Sequence, residues 1–202
     1  MTKADPPSPR GPVPSGSPAG HLLVDGDQLG RTIARLAHEI VERHAEPGEL
    51  ALVGVHTRGV PLARRLATLI SQFSGATPDL GSVDIALYRD DLGAPHGQPH
   101  APVVGETELD FPLEQRSVVL VDDVLYTGRT IRAAIDALLD YGRPRAVELA
   151  VLVDRGHREL PIRPDYVGKN LPTARDERIR VALSEIDGQD AVLLVPDSES
   201  PS

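Results

Sequence analysis

The chain has 202 residues, a formal net charge of -9, 40% apolar residues and no cysteine, which excludes a disulfide framework, a cysteine-based metal site and a thiol nucleophile. The negative charge argues against non-specific nucleic-acid binding, and no apolar run reaches the roughly 20 residues of a membrane span. We expect one cytoplasmic domain over residues 21–196. The Pro- and Ser-rich residues 1–20 predict a disordered tail, and residues 197–202 a frayed C-terminus.

Helical and apolar segments alternate along the predicted domain. Helices are predicted from an N-cap at Asp27 as far as Pro47, over residues 60–73 and over residues 130–141. Strands are predicted over residues 50–55, 83–88, 117–121 and 146–153, with shorter strand-like runs near 165–167, 179–183 and 191–195. This alternation indicates βαβ units and an α/β fold with a mainly parallel sheet. Residues 89–115 show no helical or strand-like period of apolar residues, which is typical of a functional lid or a disordered loop.

Residues 118–130 carry the strongest chemical signal. A buried strand delivers Asp122 and Asp123 to the edge of the sheet where open α/β folds bind ligands. The following turn opens a helix, whose N-terminal amides and dipole favour a phosphate, and Thr127 adds a hydroxyl donor. Neighbouring carboxylates suit the two hydroxyls of a ribose, so the segment predicts a ribose 5-phosphate site. The alternative is an acid pair that only caps the helix.

This strand, acid pair and Thr-Gly-x-Thr turn together resemble the 5-phosphoribosyl-1-pyrophosphate (PRPP) signature of type I phosphoribosyltransferases. The resemblance implies that family's fold, in which a mainly parallel central sheet is flanked by helices and covered by a small hood. It also implies Mg²⁺, held indirectly by Asp122 and Asp123 through PRPP and water. The implied PRPP-binding residues are Val118, Val119, Leu120, Val121, Asp122, Asp123, Val124, Leu125, Tyr126, Thr127, Gly128, Arg129 and Thr130.

Two further segments extend the resemblance. Thr57, Arg58 and Gly59 follow the strand at 50–55 and correspond to the family's pyrophosphate loop, in which an arginine can bind phosphate oxygens through two N–H groups. Arg89 begins the long unpatterned segment, and the family closes such a loop over its active site to exclude water. The implied catalytic residues are Asp122, Asp123, Arg58 and Arg89.

Residues 35–40, 84–92 and 152–173 resemble the PyrR family, whose members regulate pyrimidine (pyr) operons and have uracil phosphoribosyltransferase activity. The resemblance covers about residues 22–195. It implies that the chain converts uracil and PRPP to UMP and diphosphate, binds UMP or UTP, and binds pyr leader mRNA, at least as a homodimer. The implied uracil-binding residues of the hood are Asp154, Arg155, Ile179, Arg180 and Val181. The implied RNA contacts are Arg35, His38, His157, Arg163, Lys169 and Thr173.

Charge is segregated along the chain in a way that suits RNA binding. Between residues 155 and 180 seven Lys and Arg face four Asp and Glu, a local charge of +3 in a chain of -9. Such a segment can equally be a solvated loop. The global acidity and Ala34, where the RNA-facing helix of the family carries a threonine, favour a plain salvage phosphoribosyltransferase without an RNA role. A purine-specific transferase is a third possibility.

Overall fold

The computed structural model describes residues 20–44, 47–86 and 107–196. In chain order the elements are β1 (His21–Val24), α1 (Gly26–Arg43), a short 3-10 turn (Pro47–Glu49), β2 (Leu50–Val55), α2 (Gly59–Ser74), β3 (Asp79–Val83), β4 (Ser117–Leu125), α3 (Arg129–Leu139), β5 (Ala146–Asp154), β6 (Tyr166–Asn170), β7 (Glu177–Ala182), α4 (Ser184–Asp187) and β8 (Ala191–Pro196). None of the described helices is both long and apolar enough to cross a membrane.

Five of the strands form one parallel sheet in the order β3-β2-β4-β5-β6. Strands β1, β8 and β7 form a separate antiparallel sheet. We call this small sheet, together with α4, the hood. The prediction of a mainly parallel sheet flanked by helices, with a small hood, is confirmed.

Helices cover both faces of the parallel sheet, which is why its strands are continuous apolar runs. On one face, Val119 and Val121 of β4 pack in the same core as the buried residues of α1 and α2. On the other face, Val118 and Leu120 pack with the buried residues of α3. Successive side chains of a strand point to opposite faces, so one strand contributes to both cores.

Helix α1 begins two residues earlier than predicted. Its N-cap is Asp25, whose Oδ1 accepts the N–H of Gln28 at 2.8 Å, so the prediction of Asp27 as N-cap is wrong. Asp27 lies in the first turn, where its negative charge interacts favourably with the helix dipole.

Over its described residues, 83–86, the predicted strand at 83–88 is also wrong, because β3 ends at Val83. Residues 87 and 88 lie outside the described part of the chain. The residues of β3 pair with Ala51–Val55 of β2, and the pairing stops at Val83. Beyond it, Asp84 Oδ1 accepts the N–H of Ala86 at 2.9 Å, a local turn that competes with further pairing.

The segment predicted to lack structure is partly ordered. Residues 107–115 return along β3, where Ser82 and Glu108 exchange two backbone hydrogen bonds of 2.9 and 3.0 Å. Arg89 lies outside the described residues, as do the predicted tails apart from Gly20. The hood strand β1 and helix α4 were not predicted, because each has only four residues and too few positions to show a period.

Candidate active site and nucleic-acid interface

The predicted pyrophosphate loop, residues 57–59, and the acid pair Asp122 and Asp123 meet at the carboxyl edge of the parallel sheet. Strands β2 and β4 are neighbours, so their carboxyl ends lie side by side. A Cβ atom added to Gly59 would lie 2.2 Å from the carbonyl oxygen of Val121, the residue before the acid pair. Only glycine allows this approach, which presses the loop against β4. The peptide bond between His56 and Thr57 is cis.

The acid pair lies within β4, near the carboxyl end of the strand. Asp122 is 6% exposed and Asp123 is half-buried. Burial raises the pKa of Asp122 well above its usual range, and the charge of Asp123 raises it further. Burial also raises the pKa of Asp123, against the opposing effects of a hydrogen bond to Asp122 and the positive charge of Arg58. A ligand that supplies hydroxyl donors or positive charge would stabilise the ionised form of two carboxyl groups held this way.

The predicted PRPP segment divides into a buried strand and a turn. The side chains of Val118 to Val121 are at most 2% exposed, so they position the site rather than touch a ligand. The turn, residues 125–130, is here called the PRPP loop. Its Gly128 has φ 93°, a left-handed conformation that favours glycine, and α3 begins at the next residue. The first amides of α3 can therefore face an anion beside Thr127 and Thr130.

Arg58 makes an ion pair with the hood. Its Nη2 donates to both carboxylate oxygens of Asp187 at 3.0 and 3.2 Å. Arg180 is a second cation at the same carboxylate, with its Nη2 3.6 Å from Oδ1. Asp187 was missed in the sequence, because nothing in a lone aspartate near the C-terminus indicates an arginine 129 residues away as its partner.

The predicted uracil-binding residues occupy different environments. Ile179 and Val181 are buried in the core, with 6% and 1% exposure, whereas Arg180 is exposed. Asp154 ends β5 of the parallel sheet, so it lies outside the hood to which it was assigned, and it pairs with Arg158 at 2.6 Å. The side chains of Ile179 and Val181 therefore shape the hood from within rather than line a surface.

Arg155 is a buried cation that joins the PRPP loop to the hood. It is 5% exposed, and its guanidinium carbon lies 3.9 Å from the centre of the Tyr126 ring. Its Nε donates to Thr173 Oγ1 at 2.7 Å, and Nη2 donates to the carbonyl of Glu177, the first residue of β7. A cation–π contact and several acceptors stabilise a charge that burial would otherwise disfavour.

The segment after Arg155 is bound to the PRPP loop through the main chain. The carbonyl of Thr127 accepts two N–H groups, from Glu159 at 3.0 Å and from Leu160 at 3.1 Å. Arg158 Nη1 donates to the carbonyl of Tyr126 at 2.9 Å. A displacement of the PRPP loop would therefore move residues 155–160 with it.

The predicted RNA contacts form two groups. Arg35 and Lys169 line an open cavity of about 450 Å³ between α1 and β6, together with Gln28, Arg31, Thr32 and Gly168. His38, one helical turn further along α1, stacks on Phe73 with ring centres 3.7 Å apart. Arg31 and Gln28 were missed, although the spacing of 28, 31 and 35 places them on one face of a helix.

The second group lies beside the PRPP loop. His157 Nε2 lies 2.7 Å from the carbonyl oxygen of Thr173, and its ring meets that of Tyr126 edge-on at 6.0 Å. Arg163 is exposed. The basic segment predicted from charge thus reaches both groups, through Lys169 in the first and His157 in the second.

Comparison with known proteins agrees with this architecture. The model of the phosphoribosyl transferase domain family matches residues 23–183, so the chain belongs to the phosphoribosyltransferase family. Solved hypoxanthine phosphoribosyltransferases share the fold. That of Trypanosoma cruzi has a TM-score of 0.67 at 17% identity and covers 88% of this chain and 97% of its own. One from Staphylococcus aureus has a TM-score of 0.63 at 20% identity, covering 86% and 90%.

Proteins named bifunctional protein PyrR are far more similar in sequence. That of Deinococcus deserti is 57% identical and covers 85% of this chain and 92% of its own length. That of Clostridioides difficile is 56% identical, covering 85% and 96%. That of Thermus thermophilus is 55% identical, covering 85% and 93%. Within the phosphoribosyltransferases, the chain is a member of the PyrR family.

Proposed function

We propose that the chain regulates pyr operon expression by binding pyr leader mRNA in response to uridine nucleotides, and that it also makes UMP and diphosphate from uracil and PRPP. The observation that carries the enzymatic half is the acid pair beside a left-handed glycine at a helix N-terminus, with a pyrophosphate loop pressed against the same strand. The family membership supports both halves.

The site provides a partner for each part of PRPP. The amides at the start of α3, with Thr127 and Thr130, would bind the 5-phosphate. Asp122 and Asp123 would accept hydrogen bonds from the ribose hydroxyls, and Asp123 is the more accessible of the two. Arg58 would bind the pyrophosphate. Arg89, which lies outside the described residues, would bind it as well.

Catalysis in this proposal depends on position and charge. As the bond from the ribose to pyrophosphate loosens, Arg58 stabilises the charge that develops on the leaving group. The acid pair holds the ribose for attack by the uracil nitrogen. Mg²⁺, when bound with PRPP, would neutralise part of the pyrophosphate charge. A cation there would stabilise the ionised form of the acid pair, which burial otherwise disfavours. Among the described residues no cluster of His, Asp and Glu can hold a metal alone, so PRPP would supply ligands.

Uracil would bind between the PRPP loop and the hood. Asp154 and Arg155 already have side-chain partners, so the backbone near them is the better candidate for reading the base. A base panel with PRPP and Mg²⁺ tests the assignment by measuring pyrophosphate release. We expect turnover with uracil and none with hypoxanthine or guanine. Turnover with purines alone would overturn it.

The RNA face would combine the two groups of basic residues. Arg31, Arg35 and Lys169 place three cations around one open cavity of an otherwise acidic protein. Contacts to phosphates make affinity fall steeply with salt. Filter binding to pyr leader RNA and to a scrambled RNA, over a salt series, should show specific binding whose affinity decreases with salt. Equal binding to both RNAs would favour the plain salvage enzyme.

Nucleotide dependence would arise from the contacts between the PRPP loop and residues 155–160. A nucleotide in the pocket fixes the PRPP loop, and the bonds to Tyr126 and Thr127 pass that order to His157 and Thr173. A cytoplasmic homodimer or larger assembly would offer RNA a broader surface than one chain.

A further inference from the structure

We infer that Asp187 is a positioning residue, which orients Arg58 for pyrophosphate and joins the pyrophosphate loop to the hood. The inference rests on the proposed role of Arg58. Asp187 itself does not need to touch PRPP, because its effect passes through the guanidinium that it holds.

The described contacts of Arg58 engage only one of its three side-chain nitrogens. Both carboxylate oxygens of Asp187 contact the same nitrogen, Nη2. The Nε of Arg58 is buried and has no hydrogen-bond partner among the described residues. Nη2 thus anchors the side chain, whereas no contact within the described residues engages Nη1, which remains for a phosphate.

Asp187 is itself held firmly. Its Oδ2 accepts the N–H of Leu183 at 3.0 Å, and its side chain is only 13% exposed. Burial works to raise the pKa of Asp187, but the bonds from Leu183 and Arg58 outweigh it and lower the pKa. The carboxylate is therefore charged at neutral pH, as an anchor for a guanidinium must be.

The local charge still favours an anion. Arg58 and Arg180 contribute two positive charges around the one negative charge of Asp187. The cluster therefore keeps a net positive charge. Arg58 follows β2, whose carboxyl end lies beside that of β4, and its charge works to lower the pKa of Asp123 in β4. Because Asp187 belongs to the hood, movement of the hood over a base would change the position of Arg58.

The chain contains a matched control for this idea. Asp190 also accepts a main-chain N–H at the start of α4, from Ser184 at 2.7 Å, and it accepts two hydrogen bonds of 2.8 Å from Arg65 of α2. It anchors the hood as Asp187 does, but through an arginine that lies away from the pyrophosphate loop. Asp187→Asn and Asp190→Asn therefore each weaken one main-chain contact and one arginine contact, although Arg65 reaches Asp190 through two nitrogens and also donates to Glu185. Only the Asp187 variant acts on the pyrophosphate loop.

The test compares steady-state kinetics of the two variants with wild type and with Arg58→Ala. Since misplacing a binding group by about 1 Å can cost up to roughly 100-fold, we expect Asp187→Asn to raise the KM for PRPP at least about tenfold. Its KM for uracil should change less than about twofold. Asp190→Asn should keep both constants near wild type, with a loss of thermal stability at least as large as that of Asp187→Asn.

Each outcome has a separate meaning. Equal kinetic losses in both aspartate variants would overturn the inference, because they would show only that the hood needs its anchors. A KM for PRPP in Asp187→Asn equal to that of wild type would also overturn the inference. A lower KM would overturn it too, because it would mean that Asp187 competes with pyrophosphate for Arg58. If Arg58→Ala kept a normal KM for PRPP, the proposed role of Arg58 would itself be wrong.

Discussion

Replacing Gly59 with alanine tests the packing of the pyrophosphate loop against the acid pair. The new Cβ would lie 2.2 Å from the Val121 carbonyl oxygen, whereas real Cβ atoms essentially never come closer than 3.0 Å. The loop must therefore move by at least about 0.8 Å, away from backbone that cannot yield easily. Overpacking of this kind costs about 1–3 kcal/mol of stability, and a shift near 1 Å at a catalytic site can cost roughly 100-fold in rate.

The assay pairs thermal unfolding with kcat/KM for PRPP, and Gly30→Ala serves as control. Gly30 lies in α1 with open space around its missing Cβ, so alanine there should stabilise the protein by about 0.5–1 kcal/mol. We expect Gly59→Ala to lower Tm by several degrees, at about 2–4 °C per kcal/mol for a chain of this size. Its kcat/KM should fall by roughly 100-fold. Wild-type kcat/KM in Gly59→Ala would refute the packing argument.

Three further changes test other parts of the site. Asp122→Asn should raise Tm at neutral pH while lowering kcat. The raised pKa of Asp122 means that burial opposes its charged form in the folded state, so the wild-type protein loses stability as the pH rises. The difference in Tm between Asp122→Asn and wild type should therefore shrink in acid. A difference in Tm that stays constant with pH would contradict this. Lys169→Ala should weaken leader RNA binding and reduce its salt slope by about one, with UMP synthesis unchanged; loss of synthesis would place Lys169 in the active site. Tyr126→Leu removes the ring beneath Arg155 and should cost about 2 kcal/mol of stability in urea unfolding; no loss would mean that the cation–π contact contributes nothing.

The sequence predicts β2, β4, β5 and the long helices well because their patterns are local. The strand at 117–121 is buried on both faces and reads as one apolar run, and the turn at Gly128 follows from the need for a left-handed residue. The end of β3 was not predictable in the same way, since it depends on pairing with β2 and on the turn at Asp84.

The candidate site likewise combines a motif that is local in sequence with contacts between distant residues. The acid pair and PRPP loop are contiguous in sequence, so their motif is visible there. The Arg58–Asp187 pair joins residues 129 positions apart, and the Arg155–Tyr126 contact joins two loops through packing alone. Long-range partners such as these depend on how the hood and the sheet come together, and a single sequence carries no local pattern for that.

The affinity for pyr leader RNA, measured with and without UMP at moderate salt, tests the central claim most directly. The claim is that one chain senses a uridine nucleotide at the PRPP loop and responds by binding RNA. UMP should tighten RNA binding by wild type, and Asp123→Asn should lose that enhancement while remaining folded by circular dichroism. RNA binding that is absent, or that UMP leaves unchanged in wild type, would contradict the claim.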